Sequence, residues 1–322
     1  MKKVLGMGNA LVDIMTKLES EVLFQEFSLP KGSMQLVDKD FANKVNNGTK
    51  HLKKEQASGG SAANTIHGLA RLGVETGFIG KIGNDEFGKF FQTDMESSHI
   101  KPHLMFGKNE TGKAIALVSP DSERTFATFL GSTLELSADD IKSDMFFGYS
   151  YFHIEGYLVQ NYDLIKKAAK LAKENKLNVS LDLASFNVVE ANLDFLKSIL
   201  KEYVDIVFAN EDEARAFTGK EPEEALQILS KYCDITVVKT GEKGSLIKKG
   251  NEIHKIGIIK ANCIDTTGAG DLYAAGFLYG LTKDLPLNKC GEIGALLAGN
   301  VIEFIGAKIP ITRWEEIKNK IK

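Results

Sequence analysis

The residues best suited to chemistry lie close together near the C-terminal end of the chain. Asp265-Thr266-Thr267-Gly268-Ala269-Gly270-Asp271 runs directly into an apolar segment, which predicts a tight turn that opens a buried helix. The first turn of a helix has unpaired backbone N–H groups and the positive end of the helix dipole, so it attracts anions. Gly268, Ala269 and Gly270 would let these N–H groups approach a phosphate closely.

Asp271 is unusual because it places a carboxylate beside a turn suited to negative charge. In that position it can take a proton from a hydroxyl group as the hydroxyl oxygen attacks phosphorus. An isolated acid in the first turn of a helix is usually an ordinary terminal residue. The complete heptapeptide favours the chemical interpretation, and Asp271 is therefore the candidate general base.

A second glycine motif precedes another predicted helix. Gly59-Gly60-Ser61-Ala62-Ala63-Asn64 begins a helix that should continue to Leu72 and end at Gly73. Two glycines before a helix allow the backbone to approach a ligand, and Asn64 lies one turn into the helix. A plain glycine loop would explain the same residues if they stood alone.

The first predicted strand places polar residues at its carboxyl end. Residues 4–14 form a largely apolar run that contains Asn9 and Asp13. The two glycines before Asn9 resemble the start of a dinucleotide-binding loop, but Leu11 occupies the position of its third glycine. We therefore expect a strand that ends in a polar site.

The chain positions these motifs by alternating strands and helices of ordinary length. Apolar runs and amphipathic segments follow one another, as in the predicted helix 162–175 and strand 179–183. This rhythm predicts an α/β fold with a mainly parallel sheet covered by helices on both faces. We find no internal repeat or interdomain linker, so residues 1–322 are interpreted as a single unit.

Two segments interrupt this rhythm. Residues 16–37 are irregular and contain Pro30 and Gly32, and residues 100–130 contain short β-like runs separated by turn sequences. We expect these segments to form a small antiparallel β lid over a cleft, outside the main sheet.

The composition argues against several classes of protein. In a chain of 322 residues, hydrophobic residues make up 43% and charged residues 26%, which is ordinary for a globular protein. A formal net charge of −3 with scattered lysines provides no surface for nucleic acid, and no apolar run is long enough for a membrane span. Cys233, Cys263 and Cys290 lack metal-site spacing and would leave one cysteine unpaired, which favours a reducing, cytoplasmic location.

The two glycine motifs, the alternating strands and helices and the β excursions together resemble the ribokinase-like (PfkB-type) sugar and nucleoside kinases. The resemblance implies a ribokinase-like three-layer α/β/α core, a mainly parallel sheet and a small antiparallel β lid. The opening residues 6–14 are similar to those of adenosine kinases, and Ser61 stands where ribokinases carry a lysine. Residues 152–158 are similar to the bacterial branch labelled adenosine kinase or sugar kinase.

On the acceptor side, the resemblance implies a sugar site. Asn9 and Asp13 match the family's ligands for a ribose-like ring, where a carboxylate accepts hydrogen bonds from two neighbouring hydroxyl groups. A polar residue at the end of a strand is the alternative for Asp13. The remaining residues expected to bind the acceptor are Gly59, Gly60, Ser61, Asn64 and Glu155.

On the nucleotide side, the resemblance implies roles for two loops. Asn210-Glu211-Asp212-Glu213 matches an Asn-x-x-Glu element that orders Mg²⁺ and its waters, with Glu213 acting partly through water. An ordinary acidic helix start is the alternative for these residues. The second loop resembles the nucleotide loop of the family; its candidate residues are Lys239, Thr240, Gly241 and Gly244.

The resemblance also implies that Arg124 and the turn 265–271, here named the catalytic turn, act on the phosphates. Arg124 matches an arginine that swings from the lid onto the phosphates, and its alternative is a solvated turn arginine. The N–H groups of Gly268, Ala269 and Gly270 would hold the charge on the transferred phosphoryl group, and Thr267 would contact the nucleotide. Asp265 and Thr267 also match positions near a monovalent-cation site, for which K⁺ is the candidate ion.

These assignments predict an ATP- and Mg²⁺-dependent kinase that phosphorylates the primary, 5′-type hydroxyl of a ribonucleoside, with adenosine converted to AMP in purine salvage. A sugar kinase for ribose or fructose is the alternative within the family, and Glu155 favours it. A catalytically inactive regulator that binds a sugar or a nucleotide is the alternative from another class. The residues expected to line an apolar base site are Met34, Leu36, Phe126, Leu130 and Tyr157. The chain is expected to be a monomer or a homodimer.

Overall fold

The computed structural model describes residues 2–121 and 123–321, which form two β-sheets and the helices around them. The strands are β1 (Val4–Met7), β2 (Leu11–Lys17), β3 (Met34–Leu36), β4 (Lys54–Gly59), β5 (Thr76–Ile82), β6 (Ile100–Phe106), β7 (Gly112–Val118), β8 (Arg124–Phe129), β9 (Tyr151–Ile154), β10 (Asn178–Asp182), β11 (Ile206–Asn210), β12 (Ile235–Lys239), β13 (Ser245–Lys249) and β14 (Glu252–Ile256). The α-helices are α1 (Val22–Glu26), α2 (Lys39–Gly48), α3 (Ser61–Arg71), α4 (Glu86–Ser97), α5 (Tyr162–Glu174), α6 (Phe186–Ala191), α7 (Leu193–Tyr203), α8 (Glu211–Thr218), α9 (Pro222–Leu229), α10 (Ala269–Thr282), α11 (Leu287–Val301) and α12 (Ile311–Ile321).

The large sheet has nine strands in the order β14-β13-β12-β11-β10-β9-β1-β5-β6. The strands from β12 to β6 are parallel, and β13 and β14 extend the sheet as an antiparallel hairpin. Because parallel strands run in one direction, their carboxyl ends meet at one edge of the sheet, where α/β proteins bind ligands.

Both faces of the large sheet are covered by helices. Along β11, Phe208 belongs to a core with α3, α10 and α11, whereas Val207 belongs to a second core with α5, α7 and α9. This alternation is expected for a strand buried on both faces. The predicted three-layer α/β/α fold is therefore confirmed.

Helix α10 is apolar on all sides because it lies between the sheet, α3 and α11. Ala274, Ala275, Phe277 and Leu278 on successive faces of the helix are all fully buried. A helix without a polar face is stable only when it is surrounded by protein. The packing of α3 and α10 brings the starts of the two helices, and hence both glycine motifs, into the same region.

The small sheet has five strands in the order β3-β8-β7-β2-β4. Its β2–β4 and β7–β8 pairs are antiparallel, whereas its β2–β7 and β3–β8 pairs are parallel. Helices α2 and α4 contact this sheet, and residues such as Ile14 and Ile115 are buried there. The small sheet is thus mixed rather than purely antiparallel.

The structure corrects the expected limits of the lid. Strand β6 (Ile100–Phe106) is the edge strand of the large sheet, parallel to β5, because α4 supplies the helical crossover that a parallel pair needs. The sequence analysis did not predict that β5, α4 and β6 form one βαβ unit of the large sheet. The lid instead includes β2 from Leu11 onward and β4, neither of which was expected there.

Two further boundaries differ from the prediction. The run 4–14 is not one strand, because the chain leaves the large sheet after Met7 and enters the small sheet at Leu11. Near the C-terminal end, the pattern of residues 289–304 predicts a last helix; the structure has α11 at Leu287–Val301, followed by the unpredicted α12, whose Trp314 and Ile317 are buried. In the part of the chain that the structure describes, we find no helix with the length and apolar character needed to cross a bilayer.

Candidate active site

The catalytic turn lies at the start of α10, as predicted. Gly268 precedes the helix with φ of +74°, a left-handed conformation, and a Cβ atom there would lie 2.5 Å from the Ala307 side chain, so glycine is required. The N–H of Ala269 donates a hydrogen bond to the Thr266 carbonyl over 3.1 Å. Of the three predicted anion-binding N–H groups, those of Gly268 and Gly270 donate to no described residue.

Asp271 is held by two side chains from the start of α3. The Ser61 hydroxyl donates a hydrogen bond to one carboxylate oxygen over 2.7 Å, and the Asn64 amide donates to the other over 2.9 Å. Burial raises the pKa of Asp271 to about 6, although these two hydrogen bonds oppose the shift. The structure therefore presents an oriented carboxylate whose pKa suits proton transfer near neutral pH.

Asp13 and Asn64 face the ligand space with unpaired oxygens. Asp13 lies against Gly59, where a Cβ atom would come within 2.2 Å of its carboxylate, and no described residue donates a hydrogen bond to it. Burial raises the pKa of Asp13 to about 6. The carbonyl oxygen of the Asn64 side chain is buried and has no partner among the described residues. A buried polar atom is normally satisfied, so the Asn64 oxygen calls for a donor from a ligand, and the Asp13 carboxylate can accept from the same ligand.

Asn9 and Glu155 occupy a different place from the one expected. The Asn9 amide donates to the Glu155 carboxylate over 2.5 Å, and the Thr133 hydroxyl donates to the Asn9 side-chain oxygen. The N–H of Ala62 donates to the other Glu155 oxygen over 3.1 Å. Glu155 is 1% exposed, and burial raises its pKa to about 7. The two side chains thus bind each other and the start of α3, and neither lines any of the three cavities described below, so their direct contact with the acceptor stays a prediction.

Lys239, at the end of β12, forms an ion pair with Asp182, at the end of β10, over 2.9 Å. Burial alone would raise the pKa of Asp182, but Lys239 lowers it below its usual value. Burial alone would lower the pKa of Lys239, but Asp182 and Glu213 raise it overall. Asp182 was missed in the sequence, where the only signal was an acid closing an apolar strand. Asp182 thus holds the ammonium group of Lys239 in place beside Gly270.

Asn210 and Glu213 form a capping box at the start of α8. The Glu213 carboxylate accepts hydrogen bonds from the backbone N–H and the side-chain amide of Asn210, over 2.8 and 2.7 Å. The Asn210 side chain in turn accepts from the Glu213 N–H over 2.8 Å. Burial, with Asp182 nearby, raises the pKa of Glu213 to about 7. The ordinary helix-start function is therefore present, and both residues also line the cavity that contains Asp271.

The loop after β12 is held by its own hydrogen bonds. The Thr240 backbone N–H and hydroxyl both donate to the Gly244 carbonyl, over 2.8 and 3.0 Å. The Thr240 side chain therefore stabilises the loop and lines neither of the two cavities beside it, so its contact with a phosphate stays a prediction. Gly241 lies on the cavity side of the loop, between two cavities.

Arg124 reaches from the lid to the catalytic turn. Its guanidinium forms an ion pair with Asp265 and donates a hydrogen bond to the Thr267 hydroxyl. The Asp265 carboxylate also accepts from the N–H groups of Thr267 and Gly306, over 2.7 and 2.6 Å. The alternative interpretation of Arg124 as a solvated turn arginine is therefore not what the structure shows. A K⁺ ion at Asp265 and Thr267 stays a prediction, and Arg124 already supplies a positive charge there.

Three neighbouring cavities meet around these residues. The central cavity, of about 510 Å³, contains Asp271, Asn64, Asp13 and Lys239 together with Gly60, Ser61, Phe126, Tyr157, Asp182, Ala184, Asn210, Glu211, Asp212, Glu213, Gly241, Thr267 and Gly270. The lid cavity, of about 580 Å³, shares Asp13, Phe126 and Thr267 with it. The apolar cavity, of about 520 Å³, shares Lys239, Gly241 and Gly270 with it and also contacts Gly244. Two ligands that meet in the central cavity can thus extend from it, one into the lid cavity and the other into the apolar cavity.

The expected base-binding wall is only partly present. Phe126 and Tyr157 line the central cavity. Met34 and Leu36 lie on the edge strand β3 and are 55% and 64% exposed, and neither they nor Leu130 line any of the three cavities. Edge strands of a sheet face solvent, which the sequence pattern does not reveal.

Comparison with known families identifies the chain. Residues 35–314 match the pfkB family carbohydrate kinase domain. The chain belongs to this family. It is therefore a kinase, a phosphotransferase that uses ATP, and the site geometry agrees with the ribokinase-like resemblance of the sequence.

The relatives of this kinase differ in their acceptors. A probable sugar kinase from Rhizobium etli is 32% identical, with a TM-score of 0.88, over 99% of this chain and 98% of that chain. The adenosine kinase from Sinorhizobium meliloti is 32% identical, also with a TM-score of 0.88, over 100% of this chain and 99% of that chain. A 5-dehydro-2-deoxygluconokinase from Geobacillus kaustophilus is 30% identical over 76% of this chain and 78% of the relative.

The residues around the central cavity fit Mg²⁺, the usual companion of ATP in kinases. Among the described residues, no three His, Cys, Asp or Glu side chains are grouped as a ready-made metal site. Mg²⁺ keeps several waters and binds through nucleotide phosphates, so it needs only one or two protein carboxylates. Glu213 and Asp182 line the cavity and are the carboxylates that would hold it.

Proposed function

We propose that this pfkB-family kinase transfers the γ-phosphoryl group of ATP to the primary, 5′-type hydroxyl of a ribonucleoside, with adenosine converted to AMP. The observation that carries the proposal is the placement of Asp271. Its carboxylate is oriented by Ser61 and Asn64, lies at a helix start, and shares one cavity with Asp13 and Lys239. If adenosine is the acceptor, the enzyme acts in purine salvage.

Asp271 acts as the general base in this proposal. The acceptor hydroxyl oxygen attacks the γ-phosphorus, the bond from phosphorus to the β–γ bridging oxygen breaks, and the hydroxyl proton passes to Asp271. The free N–H groups of Gly268 and Gly270 lie at the positive end of α10 and face the negative charge on the transferred group. These donors are fixed before the reaction, so they do not need to reorganise during it.

Lys239 links the proposed phosphate and base sites of the nucleotide. It lines both the central cavity and the apolar cavity, and Asp182 fixes its ammonium group beside Gly270. The apolar cavity is bounded by side chains such as Ile258, Tyr273 and Ile302, which suit an aromatic ring. We assign the nucleotide base to the apolar cavity and the γ-phosphate to the central cavity.

Asp13 and Asn64 recognise the acceptor in this proposal. Asp13 offers two unpaired carboxylate oxygens, and Asn64 offers a buried oxygen without a partner, so neighbouring hydroxyl groups of a ribose ring can satisfy both. Phe126 and Tyr157 are the aromatic side chains that would flank a nucleoside base. Gly59 leaves room for the Asp13 carboxylate itself, and Gly60 allows the close approach of the Asn9 carbonyl.

Some observations favour a nucleoside as the acceptor, and others favour a sugar. The aromatic pair Phe126 and Tyr157 and the similarity to an adenosine kinase at 32% identity favour a nucleoside. The similarity to a probable sugar kinase at 32% identity, and the exposed positions of Met34 and Leu36, favour the sugar alternative. We place adenosine first because a ring flanked by aromatic side chains contributes binding energy that a free sugar lacks.

A panel of acceptors tests the proposal. We expect kcat/KM for adenosine to exceed that for ribose and fructose at least ~100-fold, because burial of the base adds a few kcal/mol at ~25 cal/mol per Å². Deoxyadenosine should be ~10- to 100-fold poorer than adenosine, since it leaves one buried oxygen unpaired at ~1–3 kcal/mol. Coupled ADP release at saturating Mg-ATP measures both. A sugar with the highest kcat/KM would leave only the kinase assignment standing.

A further inference from the structure

Lys308 is a half-buried cation that lines the lid cavity and has no ion-pair partner among the described residues. It lies between α11 and α12, and no carboxylate of a described residue comes within 4.0 Å of its ammonium group. Its one hydrogen bond is long, 3.4 Å to the Ser58 hydroxyl. That hydroxyl donates in turn to Asp94 over 2.5 Å. An ammonium group in such a place is costly unless a nearby negative charge compensates it.

Asp13 is an unpaired negative charge on the wall of the same cavity. It lies on β2, and the segment that carries Lys308 packs against that strand, with Gly306 close to the Met15 sulfur. The N–H of Gly306 is also bonded to Asp265 over 2.6 Å. The backbone that carries Lys308 is therefore fixed relative to Asp13, and the two opposite charges face one cavity.

Other charges near Asp13 are already committed. Arg124 favours the ionised form of Asp13 but is ion-paired with Asp265, whereas Asp271 disfavours it. Burial raises the pKa of Asp13, and Lys308 is the strongest influence in the opposite direction. Burial lowers the pKa of Lys308 to about 8, so it is still mainly protonated at pH 7. The groups that face Lys308 from the surrounding elements are Asp13 on β2, Arg71 and His67 on α3, Asp94 on α4 and Asp271 on α10.

We propose that Lys308 is a positioning residue whose ammonium group keeps Asp13 ionised and directed at the hydroxyl groups of the acceptor. This inference rests on the proposed acceptor-binding function of Asp13. Lys308 itself acts through Asp13 and does not touch the reacting atoms. Lys308 lies outside both glycine motifs, so the proposal assigns to acceptor recognition a residue that neither motif contains.

The electrostatic part of the proposal can be tested without any acceptor. The folded-state pKa of Asp13 lies above its unfolded value, so the Asp13 carboxylate destabilises the fold as pH rises from about 4 to about 6. The gain in urea stability of Asp13→Asn over the wild type should grow through this window and then level off. In a Lys308→Met background, the midpoint of this rise in the stability gain should lie at least half a pH unit higher than in the wild-type background. In a Lys308→Arg background, the midpoint should lie at the wild-type pH.

Lys53→Met is the matched control. Lys53 lines the same cavity, but it is 88% exposed and lies 3.6 Å from Glu55, so its removal should leave the midpoint unchanged. Equal midpoints in the wild-type and Lys308→Met backgrounds would overturn the proposal. If Lys308→Met does not fold, Lys308→Gln takes its place in the same comparison.

The acceptor part is tested by calorimetric binding of the best acceptor from the panel, without ATP. Lys308→Met should weaken binding ~3- to 10-fold at pH 6.5, with less loss at pH 8, because a lost charge matters most where Asp13 titrates. In an Asp13→Asn background, Lys308→Met should change affinity less than twofold. An equal loss in both backgrounds would overturn the proposal. If Asp13→Asn leaves the acceptor affinity unchanged, the proposed function of Asp13 in acceptor binding is contradicted. The stability measurement would then still test whether Lys308 keeps Asp13 ionised.

Discussion

Asp271 is the residue on which the proposed chemistry depends. Its two hydrogen-bond donors, Ser61 and Asn64, come from the other glycine motif, so each motif is incomplete without the other. The sequence indicated both motifs separately. It could not show that Ser61 orients the base, because that contact joins residues 210 positions apart.

We expect Asp271→Asn to lower kcat at least ~100-fold with little change in acceptor affinity, because only the proton acceptor is removed. Asparagine has a similar size, its oxygen can accept from the Asn64 amide, and the Ser61 hydroxyl can accept from its NH2 group. Rapid-quench measurement of phosphoryl transfer tests kcat, and calorimetry tests acceptor binding. A variant that keeps near wild-type kcat would show that another group takes the proton.

The pH profile of kcat should have an acidic limb near pH 6. Burial raises the pKa of Asp271 to about 6, and only the ionised form can take a proton. The rate at saturating acceptor should therefore fall about tenfold per pH unit below that value and be flat from pH 7 to pH 8. A profile that stays flat down to pH 5 would contradict this assignment.

The Asp182–Lys239 pair should behave as a buried ion pair. Their side chains are 9% and 15% exposed, so Asp182→Asn should leave a poorly compensated ammonium group and lower the free energy of unfolding by about 3 kcal/mol. The double variant Asp182→Asn, Lys239→Met should recover most of that loss, as measured by urea unfolding. Additive losses would show that the two residues are not coupled.

At the scale of elements, the sequence predicted most of the large sheet and failed where pairing partners decide the structure. The apolar strand 206–210 and helix 269–282 could be read from their patterns, because burial on all sides leaves a continuous apolar run. Strand β6 could not be assigned to the large sheet from its own pattern, since it contains Pro102 and is only partly buried. The hydrogen bond between Asn9 and Glu155 could not be predicted for a similar reason, because it depends on the tertiary fold.

The contact between α10 and α11 should be sensitive to a single methyl group. A Cβ atom at Gly276 would lie 2.6 Å from the Ile293 carbonyl oxygen, so Gly276→Ala should destabilise the protein by about 1–3 kcal/mol. Gly257→Ala is the matched control, because a Cβ atom there meets nothing within 4 Å. Thermal and urea unfolding of both variants measure the difference. Equal stability of the two variants would mean that the helices separate at little cost.

At the scale of the whole molecule, Arg124 connects the lid to the core. The ion pair with Asp265 and the hydrogen bond to Thr267 hold β8 against the catalytic turn. We expect Arg124 to exchange these partners for the phosphates of the nucleotide, since Thr267 lines both the central cavity and the lid cavity that contains Arg124. The lid would then close more firmly when ATP is bound.

Arg124→Ala should therefore lower kcat more than it weakens acceptor binding, because the charge that Arg124 faces develops during phosphoryl transfer. We expect a loss of ~10- to 100-fold in kcat and less than fivefold in acceptor affinity. Steady-state kinetics and calorimetry provide the two numbers. Loss of acceptor affinity with unchanged kcat would place Arg124 in the acceptor site instead.

The central claim, phosphoryl transfer to a nucleoside, is tested most directly by competition in one mixture. The enzyme is supplied with Mg-ATP and equal concentrations of adenosine, ribose and fructose, and the phosphorylated products are quantified by mass spectrometry at low conversion. We predict that AMP exceeds the sugar phosphates at least ~100-fold, in proportion to kcat/KM. Sugar phosphate as the main product would contradict the nucleoside assignment.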